Sequence, residues 1–112
     1  MSRRTDRVSE QVRDELNRLV LRDVSDPRVG LARVSRVEVT GDLQHAHVYV
    51  SALGDDEERD GCVDALVHAR GYLRSRLAAN LSLRRTPELH FILDRATDYS
   101  LEVTKLLSDV ES

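Results

Sequence analysis

The chain has 112 residues, a formal net charge of -3, 40% hydrophobic residues and 33% charged residues. That length supports one hydrophobic core and not two, and the composition excludes both a disordered chain and a membrane-embedded one. No apolar run reaches the ~18 residues of a membrane span, and no apolar segment follows the charged start "MSRRTDRVSE", so neither a bilayer helix nor a secretory signal is expected.

Val8, Val12, Leu16, Leu19 and Val20 recur at spacings of three and four, which predicts a helix over 5–22 with Arg7, Asp14, Arg18 and Arg22 on its opposite side. "SDPRVG" (25–30) ends it. Pro27 disfavours helical backbone at Asp26, and Gly30 accepts whatever dihedral the exit requires. "VSRVEVT" then predicts a strand with Val37 and Val39 on one face. "HAHVYVSAL" predicts a second, with Ala46, Val48, Val50 and Ala52 inward and His45, His47, Tyr49 and Ser51 outward. "GDLQ" (41–44) suits the hairpin loop between them, so the two should pair antiparallel.

Asp55 and Asp56 predict the start of another helix, because acids there suit its positive end. Its apolar positions Val63, Leu66, Val67 and Ala69 lead up to Gly71, and a further helical piece carries Tyr72, Leu73, Leu77, Ala78 and Leu81. "TPELHFILD" predicts a strand with Pro87 at its mouth and with Leu89, Phe91 and Leu93 facing one way. A last helix from near Thr97 would pack Tyr99, Val103, Leu106, Leu107 and Val110. The predicted order is α-β-β-α-α-β-α in one α+β domain spanning 1–112, with helices covering one face of a three-stranded sheet. The final strand follows a crossover through two helices, so the sheet should be mixed.

Cys62 is the only cysteine, which excludes an internal disulfide and fits a reducing cytoplasm. It reads as a small buried thiol rather than a nucleophile. His45 and His47, two apart on a strand, share a face and would bind zinc if Asp42 or His90 supplied a third ligand, but nothing in the spacing demands this. No metal and no cofactor is therefore assigned. The chain has no G-x-S-x-G elbow, P-loop or G-x-G-x-x-G, and no enzymatic activity is expected.

The charge is unevenly divided. "DDEERDGCVD" (55–64) holds six acids against Arg59, whereas no carboxylate occurs between Asp64 and Glu88, where Arg70, Arg74, Arg76, Arg84 and Arg85 fall. A local basic face within an anionic chain reads in two ways. It is either a solvated face whose cations complement the negative end of a helix or, since exposed faces ordinarily mix both signs, a site for a phosphate-bearing partner. Arg70 and Arg74, four apart, share a helix face. Arg76 projects to a neighbouring side, and Arg84 with Arg85 closes the segment near the loop before Pro87. Gly71 inside a helical stretch costs about 1 kcal/mol relative to alanine, so it reads either as a helix end or as a bend between two helices. Arg3, Arg4 and Arg7 are auxiliary candidates for phosphate contact, with Arg28, Arg33 and Arg36 behind them. The alternative is a protein-interaction module, without direct RNA binding, that meets its partner through the sheet or the acidic helix start.

The blocks "RVSEQVRDELNRLV", "DPRVG", "VSRVEVTGDLQHAHVYVSALG" and "ARGYLRSRLAANLSLRRTPELHF", in that order and over nearly the whole chain, resemble the bacterial ribosome-binding factor A family. The resemblance implies a type II KH-like domain in which a helix–kink–helix with an Ala-x-Gly pattern replaces the GxxG loop. That pattern maps here onto Ala69, Arg70 and Gly71. The residues agree: glycines 30, 41, 54, 61 and 71 include no pair three apart, so the GxxG clamp on single-stranded nucleotides is missing. Tyr49, Tyr72, Tyr99 and Phe91 are the only aromatics, so the expected mode is arginine contact with phosphates of folded RNA rather than base stacking.

By the same resemblance the chain is a non-enzymatic, monomeric, cytoplasmic factor of ribosome biogenesis. Its partner would be the free small (30S) ribosomal subunit with its 16S rRNA, alongside other assembly factors. Its role would be maturation and 5′-end processing of that rRNA, with a part in cold adaptation. The chain ends soon after the last predicted helix, without the longer charged tail of some family members, and its acidic run over 55–60 is heavy.

Overall fold

The computed structural model describes residues 3–30, 32–83 and 85–94, with Arg3 and Arg4 described by backbone alone. The elements are α1 (Arg3–Asp23), β1 (Arg33–Val39), β2 (His45–Ser51), α2 (Asp56–His68), α3 (Arg70–Asn80) and β3 (Glu88–Leu93). The helix expected near Thr97, with Tyr99, Val103, Leu106, Leu107 and Val110, lies outside the described residues.

The strands run β1-β2-β3, with β1–β2 antiparallel and β2–β3 parallel. This is the mixed sheet that a crossover through two helices requires. Val34, Val37, Val39, Ala46, Val48, Val50 and Leu89 form its inner face, packed against Val12, Leu16, Leu19 and Val20 of α1 and Leu66, Leu73 and Leu77 of α2 and α3. Each such leucine removed from water contributes about 1.5–3 kcal/mol. The outer face carries Arg36, Glu38, His45, His47, Tyr49, Glu88, His90 and Ile92, all at least partly exposed.

Three local details depart from simple alternation. Val34 and Val37 both point inward because the ladder slips between Val34 and Arg36. The displaced Ser35 hydroxyl lies 3.1 Å from the Tyr49 carbonyl and 2.7 Å from the Asp94 carboxylate. Ala52, expected inward, falls just past the end of β2 and is half-buried. Phe91 and Leu93 are half-buried rather than enclosed, since β3 is an outer strand.

Polar side chains of α1 close the free edge of β1. The Asn17 amide donates to the Val34 carbonyl (3.0 Å) while its oxygen accepts the Val34 N–H (2.8 Å), and Ser9 accepts the Val39 N–H (3.1 Å). These bonds satisfy strand groups that would otherwise recruit another chain. The β1–β2 loop turns at Leu43, whose φ of 61° is rare for a side chain of its size. Its packing against the core helps offset that conformational cost. Asp42 accepts from the Thr40 hydroxyl (2.6 Å) and the Gln44 N–H (3.0 Å) in the same loop. Among the described residues no helix is long and apolar enough to cross a membrane.

Candidate nucleic-acid interface

The break between α2 and α3 is a single residue, Ala69, at φ -85° and ψ 0°. Its N–H reaches back to the Ala65 carbonyl (3.1 Å), and its own carbonyl accepts the Leu73 N–H (2.9 Å), so it belongs to both helices. Gly71 falls two residues later, inside the first turn of α3, and a methyl group added there would meet nothing within 4 Å. The break thus falls on Ala69, the first residue of the Ala-x-Gly pattern, two residues before the glycine. The bend needs no left-handed residue, and Gly71 leaves the start of α3 open instead.

α3 is held from beneath by Leu73 and Leu77, both fully buried. Two polar contacts fix its direction: the Tyr72 hydroxyl donates to Asp23 (2.8 Å) and the Asn80 amide to Glu15 (2.8 Å). Residues 72 and 80 meet 23 and 15, so α3 runs antiparallel to α1. Asp23 is held below the ordinary carboxylate range, chiefly by the Tyr72 hydroxyl, with Arg22 and Arg76 adding attraction. The same bond raises the Tyr72 hydroxyl above its usual value.

Arg70 and Arg74 are exposed and line one shallow depression with Gly71 and Glu88. Arg74 donates to the carbonyls of Thr86 (2.9 Å) and Pro87 (3.3 Å), so its guanidinium also holds the approach to β3. Arg85 is exposed in that connection. Arg76 lies on the other flank, half-buried near Asp23 and Tyr72, and its Nε finds no hydrogen-bond partner among the described residues. Arg7 is exposed in the N-terminal turns of α1, on the side where α3 ends. The side chains of Arg3 and Arg4, and all of Arg84, lie outside the described residues. The candidate arginines are thus a pair with a neighbour and a flank, not one compact cluster.

Ion pairing separates them from six of the other arginines, while Arg7 and Arg33 likewise form no ion pair among the described residues. Arg13, Arg18, Arg22, Arg28, Arg36 and Arg59 pair with Asp14, Glu15, Asp23, Asp26, Glu38 and Asp56 respectively. Among the described residues no carboxylate pairs with Arg70, Arg74, Arg76 or Arg85. The Arg28 guanidinium and N–H hold the Asp26 carboxyl down to about 2, and Arg36 stacks 4.0 Å over the Tyr49 ring. Arg28 and Arg36 are thus engaged within the fold, while Arg33 is exposed at the start of β1. Cys62 is buried with Sγ 3.6 Å from the Val29 carbonyl, and burial pushes its thiol up, away from nucleophilic use.

Sequence reasoning missed the anchoring pair Tyr72 and Asn80, the structural half of Arg74's role, and Glu88 as the carboxylate at the rim. The one available signal was spacing: Glu15 and Asp23 are eight apart, as are Tyr72 and Asn80, which matters only once the helices are known to lie antiparallel.

Comparison with known proteins places this geometry. The family model described as ribosome-binding factor A matches residues 4–107. The crystal structure of ribosome-binding factor A from Thermus thermophilus is similar at TM-score 0.71 and 29% identity, over 80% of this chain and 94% of that one. The solution structure of a Thermotoga maritima protein matches at TM-score 0.72 and 35% identity, over 82% and 88%. A Thermus thermophilus ribosome-binding factor A homology model fitted into a cryo-EM map of a 30S–RbfA complex matches at TM-score 0.66 and 32% identity, over 78% and 91%. With the family model covering nearly the full length and the same mixed sheet and helices recurring in these structures, the chain belongs to the ribosome-binding factor A family.

Proposed function

We propose that this chain is a non-enzymatic, cytoplasmic assembly factor that binds the free small ribosomal subunit. In this reading it acts as a monomer, assists maturation of the 16S rRNA at its 5′ end, and serves growth in the cold. Arg70, Arg74 and Arg85 grip phosphates of folded rRNA beside the Ala69 break, Arg76 completes the flank, and Arg3, Arg4, Arg7 and Arg84 extend the footprint.

One observation carries this reading. Six arginines elsewhere form ion pairs with carboxylates, while the described arginines of α3 and its exit form none among the described residues. Arg70 and Arg85, without an acid partner among the described residues, keep their forks of donors for phosphate oxygens. Arg74 spends two of its nitrogens on the Thr86 and Pro87 carbonyls and offers the remainder. The 30S complex of the Thermus relative agrees with such a partner. Gly71, with no side chain over the start of α3, lets a sugar–phosphate backbone approach closely.

Co-sedimentation with free small subunits, set against assembled ribosomes, tests the reading. Binding should favour the free subunit and weaken steeply with salt, with a log–log slope of roughly -3 to -4 for three or four phosphate contacts. A slope near zero would transfer the function to an apolar protein interface.

A further inference from the structure

The chain has four histidines, and three of them, His45, His47 and His90, stand together on the outer face of the sheet. The sequence supplied two on one strand. The parallel β2–β3 register adds the rest, placing Glu88 opposite His45 and His90 opposite His47. His45 Nδ1 lies 2.9 Å from His90 Nε2 and 3.9 Å from a Glu88 carboxylate oxygen, and one ligand atom from each of the three lies within 4.8 Å of the others. Asp42, the other third ligand considered from the sequence, is committed to Thr40 and Gln44 in the hairpin loop.

We propose that His45, Glu88 and His90 form a binding site for a borderline divalent metal ion, zinc in the first instance. The ligand set is chemically apt, since imidazole nitrogen with one carboxylate is a common zinc donor set. The spacing is apt as well. Two atoms each 2.0–2.1 Å from one zinc stand about 2.9–3.4 Å apart at angles between 90° and tetrahedral. The two ring nitrogens stand at the short end of that range, and the Glu88 oxygen, 3.9 Å from His45 Nδ1, closes in to complete the set. The rings are 5.1 Å apart between centroids and tilted by 35°, so they are offset rather than stacked flat against each other.

The alternative use of the short contact is one N–H···N bond between neutral imidazoles. That bond uses one proton and one lone pair, and leaves the Glu88 carboxylate 3.9 Å from the His45 ring. Replacing the proton with a cation turns both nitrogens and the carboxylate into donors to one centre. Both β2 and β3 are regular strands, so the ligands sit on a rigid frame. The His45 and Glu88 side chains are 44% and 56% exposed, so the ion enters from solvent and keeps water in its remaining positions. The His47 ring, 5.6 Å from that of His90, flanks the site without reaching it.

Isothermal titration of the full, untagged chain with zinc chloride in a non-chelating buffer tests the site without any RNA. One zinc per chain should bind saturably, and His45→Ala and His90→Ala should each weaken it by about tenfold or more. Glu88→Gln should weaken it less than either, and His47→Ala and Cys62→Ser least of all. Zinc should also move the ring ¹⁵N resonances of His45 and His90 in the unmodified chain, a reading that needs no variant to fold. No saturable binding up to about 1 mM zinc, binding indifferent to His45→Ala and His90→Ala, or unmoved His45 and His90 resonances would each overturn the proposal.

Discussion

α2 and α3 are neighbours in the chain, separated only by Ala69, yet they are built on opposite principles. α2 begins with a complete capping box: the Asp55 carboxylate accepts the Glu58 N–H (2.8 Å) while the Glu58 side chain accepts the Asp55 N–H (3.3 Å). Asp56, Glu57 and Glu58 follow in its first turn, where negative charge meets the positive end of the helix. α3 has no side-chain cap, no acid in its first turn, and Arg70 where a cation is unfavourable. The junction at Ala69, whose N–H and carbonyl bond into both helices, supplies part of what a cap would, and Arg70 also stands beside the negative end of α2. α3 is held by tertiary packing of Leu73 and Leu77, and its exposed arginines form no ion pair among the described residues. Charge placed for the helix and charge placed for a partner can be told apart by whether the helix itself gains from it.

The sharpest way to break this contrast is to reverse the unpaired cations. Arg70→Glu with Arg85→Glu should reduce small-subunit affinity by at least about tenfold, equivalent to ~1.4 kcal/mol, while the thermal midpoint stays nearly constant. Arg74 is the poorer target, because its bonds to the Thr86 and Pro87 carbonyls would confuse folding with binding. A lowered midpoint with unchanged affinity would erase the distinction. The mirror experiment removes the cap of α2. Asp55→Ala should cost about 1 kcal/mol in denaturant unfolding and leave subunit binding alone.

A smaller effect is expected at Gly71. The site is open and its φ is not left-handed, so Gly71→Ala should raise stability by up to about 0.5 kcal/mol. If a phosphate backbone approaches there, affinity should fall in the same variant. A gain in both would remove Gly71 from the interface. The smallest effect concerns a paired arginine. Asp26, held at about 2 by Arg28 against an ordinary value of 3.8, adds stability that is fully present above about pH 4 and is lost as pH falls toward 2. Asp26→Asn should flatten that part of an acid-unfolding curve, whereas Arg70→Gln should leave it unchanged.

Much of the fold was legible because it rests on local pattern. The stripe Val12, Leu16, Leu19 and Val20 and the alternation Ala46, Val48 and Val50 each declare one buried face, and the Asp55 start carries its own cap. The mixed sheet followed from connection length alone. The bulge at Ser35 was not legible, since "VSRVEV" does not reveal which residue leaves the ladder. The break at Ala69 lies within the Ala-x-Gly pattern that the resemblance supplied, but the residues alone marked only Gly71, because alanine has no conformational preference that signals a break. For the interface, the arginine run, its lack of acids and the separation of Arg76 from the Arg70–Arg74 face were visible, while the hold of Arg74 on the Thr86 and Pro87 carbonyls was not.

Local pattern was enough to place charge along the chain, to assign residues to the core, and to order the elements, because these follow from periods of two and 3.6 and from residue chemistry. What meets what at a distance was set by docking. The antiparallel seating of α3 on α1 brings Tyr72 to Asp23, and the parallel register of β3 on β2 brings Glu88 and His90 to His45. Such encounters depend on how two separately formed elements come together, and no pattern within either one encodes the offset between them.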